Sequence, residues 1–449
     1  MGTADCYKRT FAKEVPHMPS PHRWLPRVAL AGLALCVGLG AGCGSEPAPQ
    51  GATLPRGLLL ALSQFEVTPE GKVLPKPGPA LLEMLAQRDG VWQLSRLEDP
   101  ESNVFHKAMV YEPPGAAPGI LTLGGTAAAV KLWRRPAGGA WSAETLWQED
   151  FGGKFSRMRD AEVADLLGEG RPDLAVVTHD QGVVALLHPR PEGGFEVREL
   201  DREPSTFVHE VEVGDLDGDG VLELYTTPSE PNRLDGSVQR GHVDRFVPEA
   251  GGTPSVAADL GDRHAKEILV ADVDGDGRDE LYVAVEGHVE GQGAAAELVH
   301  PVEIRRYEAG TDPAAGAVVA TIQDRLCRFL SAGDLDGDGK RELVAAAFRS
   351  GLWLLRPGAD PNAPWTRTQI DRESGGFEHA AIVTDLDGDG RDELYVASDQ
   401  HGELRRYTWD NGRFVKEVLY RRQHPTAYLT WNLMPVPAEL VPEGTPAPR

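Results

Sequence analysis

The apolar residues of this chain come in short runs, and no stretch keeps the three-and-four spacing of an amphipathic helix. One unit reads Glu267-Ile268-Leu269-Val270-Ala271, then Glu280-Leu281-Tyr282-Val283-Ala284-Val285, then Val302-Glu303-Ile304-Arg305-Arg306-Tyr307, then Ala317-Val318-Val319-Ala320-Thr321-Ile322. The runs are rich in β-branched and aromatic residues and are bounded by Gly, Pro and Asp, which is the signature of strands. The same four-run pattern returns in His379–Val383, Glu393–Ala397, Glu403–Tyr407 and Arg413–Val418. Four strands in a repeat of roughly fifty residues predict the blade of a β-propeller, an all-β fold.

Six such units are anchored near residues 111, 165, 215, 272, 334 and 385. The chain ends supply the rest of a ring. Leu58–Leu62, Ala80–Leu85 and Val91–Leu94 lie at one end, and Ala427–Leu433 at the other. Joined, they make a seventh blade that leaves no sheet edge free. The prediction is a single propeller of seven four-stranded antiparallel blades over residues 57–436, closed by pairing of the terminal strands. Six or eight blades fit the same spacing. Residues 437–449 read as a Pro-rich tail.

The hairpin between the first two strands of a unit carries the strongest chemical signal. Asp215-Leu216-Asp217-Gly218-Asp219-Gly220-Val221-Leu222-Glu223 recurs as Asp272–Glu280, Asp334–Glu342 and Asp385–Glu393. Carboxylates stand at positions 1, 3, 5 and 9: Asp215, Asp217, Asp219 and Glu223; Asp272, Asp274, Asp276 and Glu280; Asp334, Asp336, Asp338 and Glu342; Asp385, Asp387, Asp389 and Glu393. So many like charges on one tight loop repel unless a cation joins them. An oxygen-only set suits Ca2+ better than the smaller, stricter Mg2+. Glycines at positions 4 and 6 allow the sharp turn. The carbonyl of position 7, at Val221, Arg278, Lys340 and Arg391, offers a further ligand. About four Ca2+ sites are expected. One unit upstream, Asp165–Asp173 keeps the pattern with Leu167 at position 3 and Glu169 at position 5, and weak or absent binding is expected there.

An EF-hand requires Glu at position 12 and a following helix. Position 12 here is Thr226, Val283, Ala345 or Val396, and a strand follows. The loops instead resemble the calcium loops of FG-GAP/VCBS repeats, as in the integrin α-subunit propeller and many secreted bacterial proteins. That resemblance covers roughly residues 100–435. It implies Ca2+ in each hairpin, held by the sixteen carboxylates just named. It does not imply one function, because such propellers serve as adhesins, receptor parts and lyases.

The 449 residues carry a net charge of −24, and the loop ligands account for much of that acidity. An acidic surface argues against nucleic acid as a partner. Of the four cysteines, Cys6, Cys36 and Cys43 lie near the N-terminus, and Cys327 reads as a small buried hydrophobe. Arg23 and Arg27 precede the apolar run Val28–Leu39, which is too short to span a bilayer and fits an export signal. It ends in Gly40-Ala41-Gly42-Cys43 and resembles a bacterial lipoprotein signal, with Gly40 where Leu is usual. The resemblance implies cleavage after residue 42, lipid on Cys43 and membrane anchoring at the outer membrane or cell surface. Met18 offers a second start, and residues 43–56 read as a flexible tether.

Six residues before each loop's first Asp stand Arg159, His209, Lys266, Arg328 and His379. They open the innermost strands, at the channel mouth opposite the loops, and form a candidate ring for an anionic ligand. The alternative is a set of strand-opening residues paired with neighbours such as Asp160, Glu210 and Glu267. The long loops Thr227–Gly241 and Glu286–His300 are expected on this same face. No Gly-x-Ser-x-Gly elbow, His-Glu-x-x-His helix or phosphate-binding glycine loop is present, so no catalytic residue is assigned. The leading expectation is a monomeric, lipid-anchored, calcium-stabilised module of the cell envelope that binds a protein or glycan. The alternatives are a polysaccharide-lyase-like enzyme at the channel mouth and a structural envelope protein.

Overall fold

A computed structural model describes residues 55–449, apart from 127, 153–155, 229 and 292–295. The export signal and Cys43 lie outside the described residues. Seven antiparallel blades form the ring: six are four-stranded sheets, and blade 1 has four blade strands with two further short strands, Val73–Pro77 and Thr445–Pro446, added to its sheet. Blades 2 to 4 and 6 to 7 use consecutive strands, starting at Phe105, Met158, Val208, Cys327 and Ala381. Blade 5 runs from Ala265 to Ile322 and carries a small extra hairpin, His288–Glu290 with Glu297–His300, between its second and third strands.

Blade 1 is built from both chain ends. Pro55–Val67, Ala80–Arg88 and Val91–Asp99 supply three strands, and Tyr428–Pro437 pairs with the first of them on the inner side. Leu58 faces Pro435 and Leu60 faces Leu433 across this seam. Leu58 to Leu62 are all fully buried, which is why the segment reads as a continuous apolar run and not an alternation. The seam begins at Pro55, so the last residues of the segment read as tether already belong to the sheet. The Pro-rich tail is docked: Thr445–Pro446 pairs with Leu94 and Gln93 on the outer edge of blade 1. Arg88 donates to the Val441 carbonyl at 2.7 Å.

Each innermost strand starts at one face of the disc and ends at the loop on the other. Cys327–Gly333, for example, leads directly into Asp334. The core is the apolar filling between adjacent blades. Cys327 sits in it as a small buried side chain, and burial pushes its thiol up to about 12. Among the described residues no helix is long and apolar enough to cross a membrane.

Candidate functional site

The four complete loops share one backbone geometry. Glycines at positions 4 and 6 hold positive φ in the loops starting at Asp215, Asp272, Asp334 and Asp385, for example 71° at Gly218 and 87° at Gly220. This turns the chain so that the position-1 carboxylate accepts two N–H groups of its own loop. Asp215 accepts from Asp219 at 3.0 Å and from Gly220 at 2.9 Å. The N–H of position 7 donates to position 5 at 2.8–2.9 Å in all four, which fixes Val221, Arg278, Lys340 and Arg391. Position 9 accepts from the N–H of position 2, as Glu342 does from Leu335 at 3.1 Å.

Several of these clusters could hold a metal ion. One oxygen each from Asp272, Asp274, Asp276 and Glu280 lies within 4.8 Å of all the others, and so does one each from Asp385, Asp387, Asp389 and Glu393. In the other two loops three of the four converge: Asp215, Asp217 and Asp219, and Asp334, Asp336 and Glu342. Glu223 is held by Arg245 and the Tyr225 hydroxyl, as Glu280 is by Arg306 and the Tyr282 hydroxyl. Burial pushes the Glu280, Glu342 and Glu393 carboxyls up to about 7. A hard cation bound by oxygen alone fits this donor set and would keep those carboxyls ionised. The Asp165 loop is engaged otherwise, with Glu169 on Arg171 and Asp173 on His188 at 2.6 Å.

At the opposite end of the innermost strands, Arg159 and Lys266 each lie within electrostatic range of Arg328, while His209 packs beside His179 and His379 bonds to Ala347 and Ser374. All five ring candidates are buried. Lys266 lies 3.0 Å from Glu230 and 3.7 Å from Glu286, which arrive on the two long loops, so those loops emerge on this face. Arg328 lies 4.0 Å from Glu286 and stacks on Phe377. Arg159 and Glu378 are fully buried and share an electrostatic field with Arg328. Neither the Arg159 guanidinium nor the Glu378 carboxylate hydrogen-bonds to the protein among the described residues. The His379 Nδ1–H donates to the Ala347 carbonyl at 2.8 Å, and its Nε2 accepts from the Ser374 hydroxyl at 2.7 Å. The five residues are therefore buried, and ion pairs compensate Lys266 and Arg328 among them.

The exposed cations lie one layer further out, where sequence reasoning did not look. Arg325 and Arg349 both stack on Phe348, at 4.8 and 5.1 Å, and Phe348 meets Phe377 edge-on at 6.3 Å. Arg349 also lines a cleft of about 410 Å3 with Trp353, Arg367, Arg372, Gln323 and Gln369. No carboxylate lines it, on a chain of net charge −24. The cleft and the stacked pair form a basic, aromatic track from the rim of blade 6 toward Arg328. Trp353, Arg367 and Gln369 stand on the two outer strands of blade 6 and the others on the loops beside them, with no common spacing, so no sequence signal marks them.

Residues 334–396 match the family model for the FG-GAP-like repeat. The rhamnogalacturonan exolyase YesX of Bacillus subtilis (strain 168) is 28% identical over 267 residues, 48% of this chain and 41% of that protein. The rhamnogalacturonan endolyase YesW of the same organism is 28% identical over 240 residues, 42% of this chain and 37% of that protein. The chain thus spans about two-fifths of the length of the curated relatives it matches. Among solved structures the Dos1 propeller aligns with a TM-score of 0.50 at 8% identity, over 82% of this chain and 87% of that one, a likeness of fold alone. The chain is a seven-bladed β-propeller with an FG-GAP-like repeat.

Proposed function

We propose that this propeller is a calcium-stabilised binding module that recognises an acidic glycan on the face opposite its metal loops. The observation that carries this reading is the exposed track of Arg325, Phe348, Arg349, Trp353 and Arg372 on an otherwise acidic protein. Guanidinium groups pair with carboxylates, aromatic faces stack on sugar rings, and the Gln323 and Gln369 amides suit hydroxyls. The loops supply Ca2+ sites whose role is to pin the hairpins. Cys43 carries a lipid that anchors the module to the envelope. A glycan array, read with and without EDTA, tests the binding. Uronate-containing glycans should score, and Arg349→Glu with Arg372→Glu should abolish the signal. Retention of the signal in that double variant would reject the track. Cys43→Ser should release the protein to the soluble fraction.

A second reading is favoured by the two rhamnogalacturonan lyases among the relatives. In it the channel-mouth His, Arg and Lys residues act on an acidic sugar chain. The ultraviolet absorbance of unsaturated uronate products separates the two. Product formation lost in His209→Ala or His379→Ala would establish the enzyme, and product-free binding the module.

A further inference from the structure

Asp215 finds the partner for its backbone N–H outside its own loop. It donates to Asp279 Oδ2 at 3.1 Å, and Asp279 is position 8 of the loop in the next blade. The contact recurs two blades on, where the Asp334 N–H donates to Asp392 Oδ2 at 2.8 Å. The Asp392 N–H returns a bond to the Asp334 carbonyl at 3.1 Å. Between these two, position 8 is Arg341, whose guanidinium donates to the Asp272 carbonyl at 3.3 Å and the Ala332 carbonyl at 3.1 Å. Each interface between consecutive complete loops therefore carries a polar contact from position 8 back to position 1. At the interface before them, position 8 is Leu222, which packs with Leu166 and Leu224, and the preceding loop is the degenerate one at Asp165.

The residue before position 1 differs between the Asp and Arg cases. A Cβ on Gly333 would lie 2.4 Å from Asp392 Oδ2, and one on Gly214 would lie 3.1 Å from Asp279 Oδ2. The same Cβ would also meet the next blade's valine, Val383 at 2.4 Å and Val270 at 2.1 Å, so glycine is needed for close blade packing and leaves room for the carboxylate. In blade 5 that place is taken by Ala271, and the longer Arg341 reaches a carbonyl instead.

Position 8 lies between the carbonyl of position 7 and the carboxylate of position 9, both proposed ligands. Fixing residues 278–280 around a cation fixes Asp279, and Asp279 orients Asp215, the first ligand of the neighbouring loop. We infer that Asp279, Arg341 and Asp392 couple the four metal loops, so that filling one raises the affinity of the loop before it. The inference rests on reading the loops as Ca2+ sites. By linkage the coupling is reciprocal, and a factor of about 5 or more per interface is expected.

Calorimetric titration of Ca2+ into EDTA-stripped protein tests it. The native chain should bind about four ions with a Hill coefficient above one. Combined Asp279→Ala, Arg341→Ala and Asp392→Ala should still bind four, with a Hill coefficient of one. Asp279→Asn with Asp392→Asn, which keeps acceptor oxygens, should retain cooperativity. Non-cooperative binding by the native chain, or unchanged cooperativity in the triple variant, would overturn the coupling while leaving the Ca2+ reading intact. Absence of binding would overturn the Ca2+ reading itself. Should the triple variant not fold, Asp389→Ala, which disables one loop, must weaken the Asp334 loop about 5-fold. Independent affinities there would overturn the coupling.

Discussion

The Arg306 guanidinium donates to the Asp274 carboxylate at 2.7 Å from a site where it is only 1% exposed. It also lies 3.2 Å from Glu280, so one cation from the third strand spans positions 3 and 9 of the metal loop. Arg245 reaches Asp217 at 3.0 Å, Arg356 reaches Asp336 at 2.7 Å and Arg406 reaches Asp387 at 3.9 Å. Each complete loop is thus partly neutralised by its own blade.

Removing that arginine leaves buried carboxylates uncompensated, which costs about 3–5 kcal/mol for a broken buried pair. Arg306→Met should lose stability of this order in EDTA and markedly less in saturating Ca2+, where a second cation shares the load. Urea unfolding under the two conditions measures the difference. Equal losses would show that the arginine and the metal do not act on the same charge.

Ca2+ removal should lower the melting temperature. A site filled at a hundred times its Kd contributes about 2.7 kcal/mol by linkage, and four sites make a shift hard to miss. A melting curve unchanged by EDTA would count against Ca2+ as part of the fold.

Glu378 and His379 are neighbours with opposite pH responses. Burial pushes the Glu378 carboxyl up to about 7, against the pull of Arg328, Arg159 and Lys266. It keeps its proton in the folded state where the unfolded chain has lost it, so its contribution falls as pH rises from about 4.5 to 7. Burial holds the His379 imidazole down at about 4, so its contribution is lost as pH falls from about 6.5 to 4. The two slopes nearly cancel in between. The stability of the native chain relative to Glu378→Gln should therefore drop by about 3 kcal/mol between pH 4.5 and 7. For His379→Gln the same comparison should rise with pH. A flat difference for either variant would mean that its side chain is solvated.

The ring is closed by the seam in blade 1, where the Trp431 Nε1–H donates to the Ser63 hydroxyl at 2.9 Å. Leu433, fully buried opposite Leu60, lies at its centre. Leu433→Ala should cost about 2–5 kcal/mol. A loss below 1 kcal/mol would show that the seam does not govern unfolding of the ring.

The blades, the shared terminal blade and the acidic loops were all legible in the chain. Their determinants are local: strand runs such as Glu280–Val285, and glycines such as Gly218 and Gly220 that alone tolerate the turn. The closeness of Arg159 and Lys266 to Arg328 follows from their shared place in the repeat, because strand length fixes which end of a blade a residue reaches. Their burial was not legible, since it depends on Glu230, Glu286 and Glu378 arriving from other loops. The Arg325–Phe348–Arg349 stack and the Asp279–Asp215 contact are likewise meetings of residues far apart in sequence. A repeat specifies the unit through its own short-range pattern. What happens between units is decided only when the ring closes and sets each blade against the next.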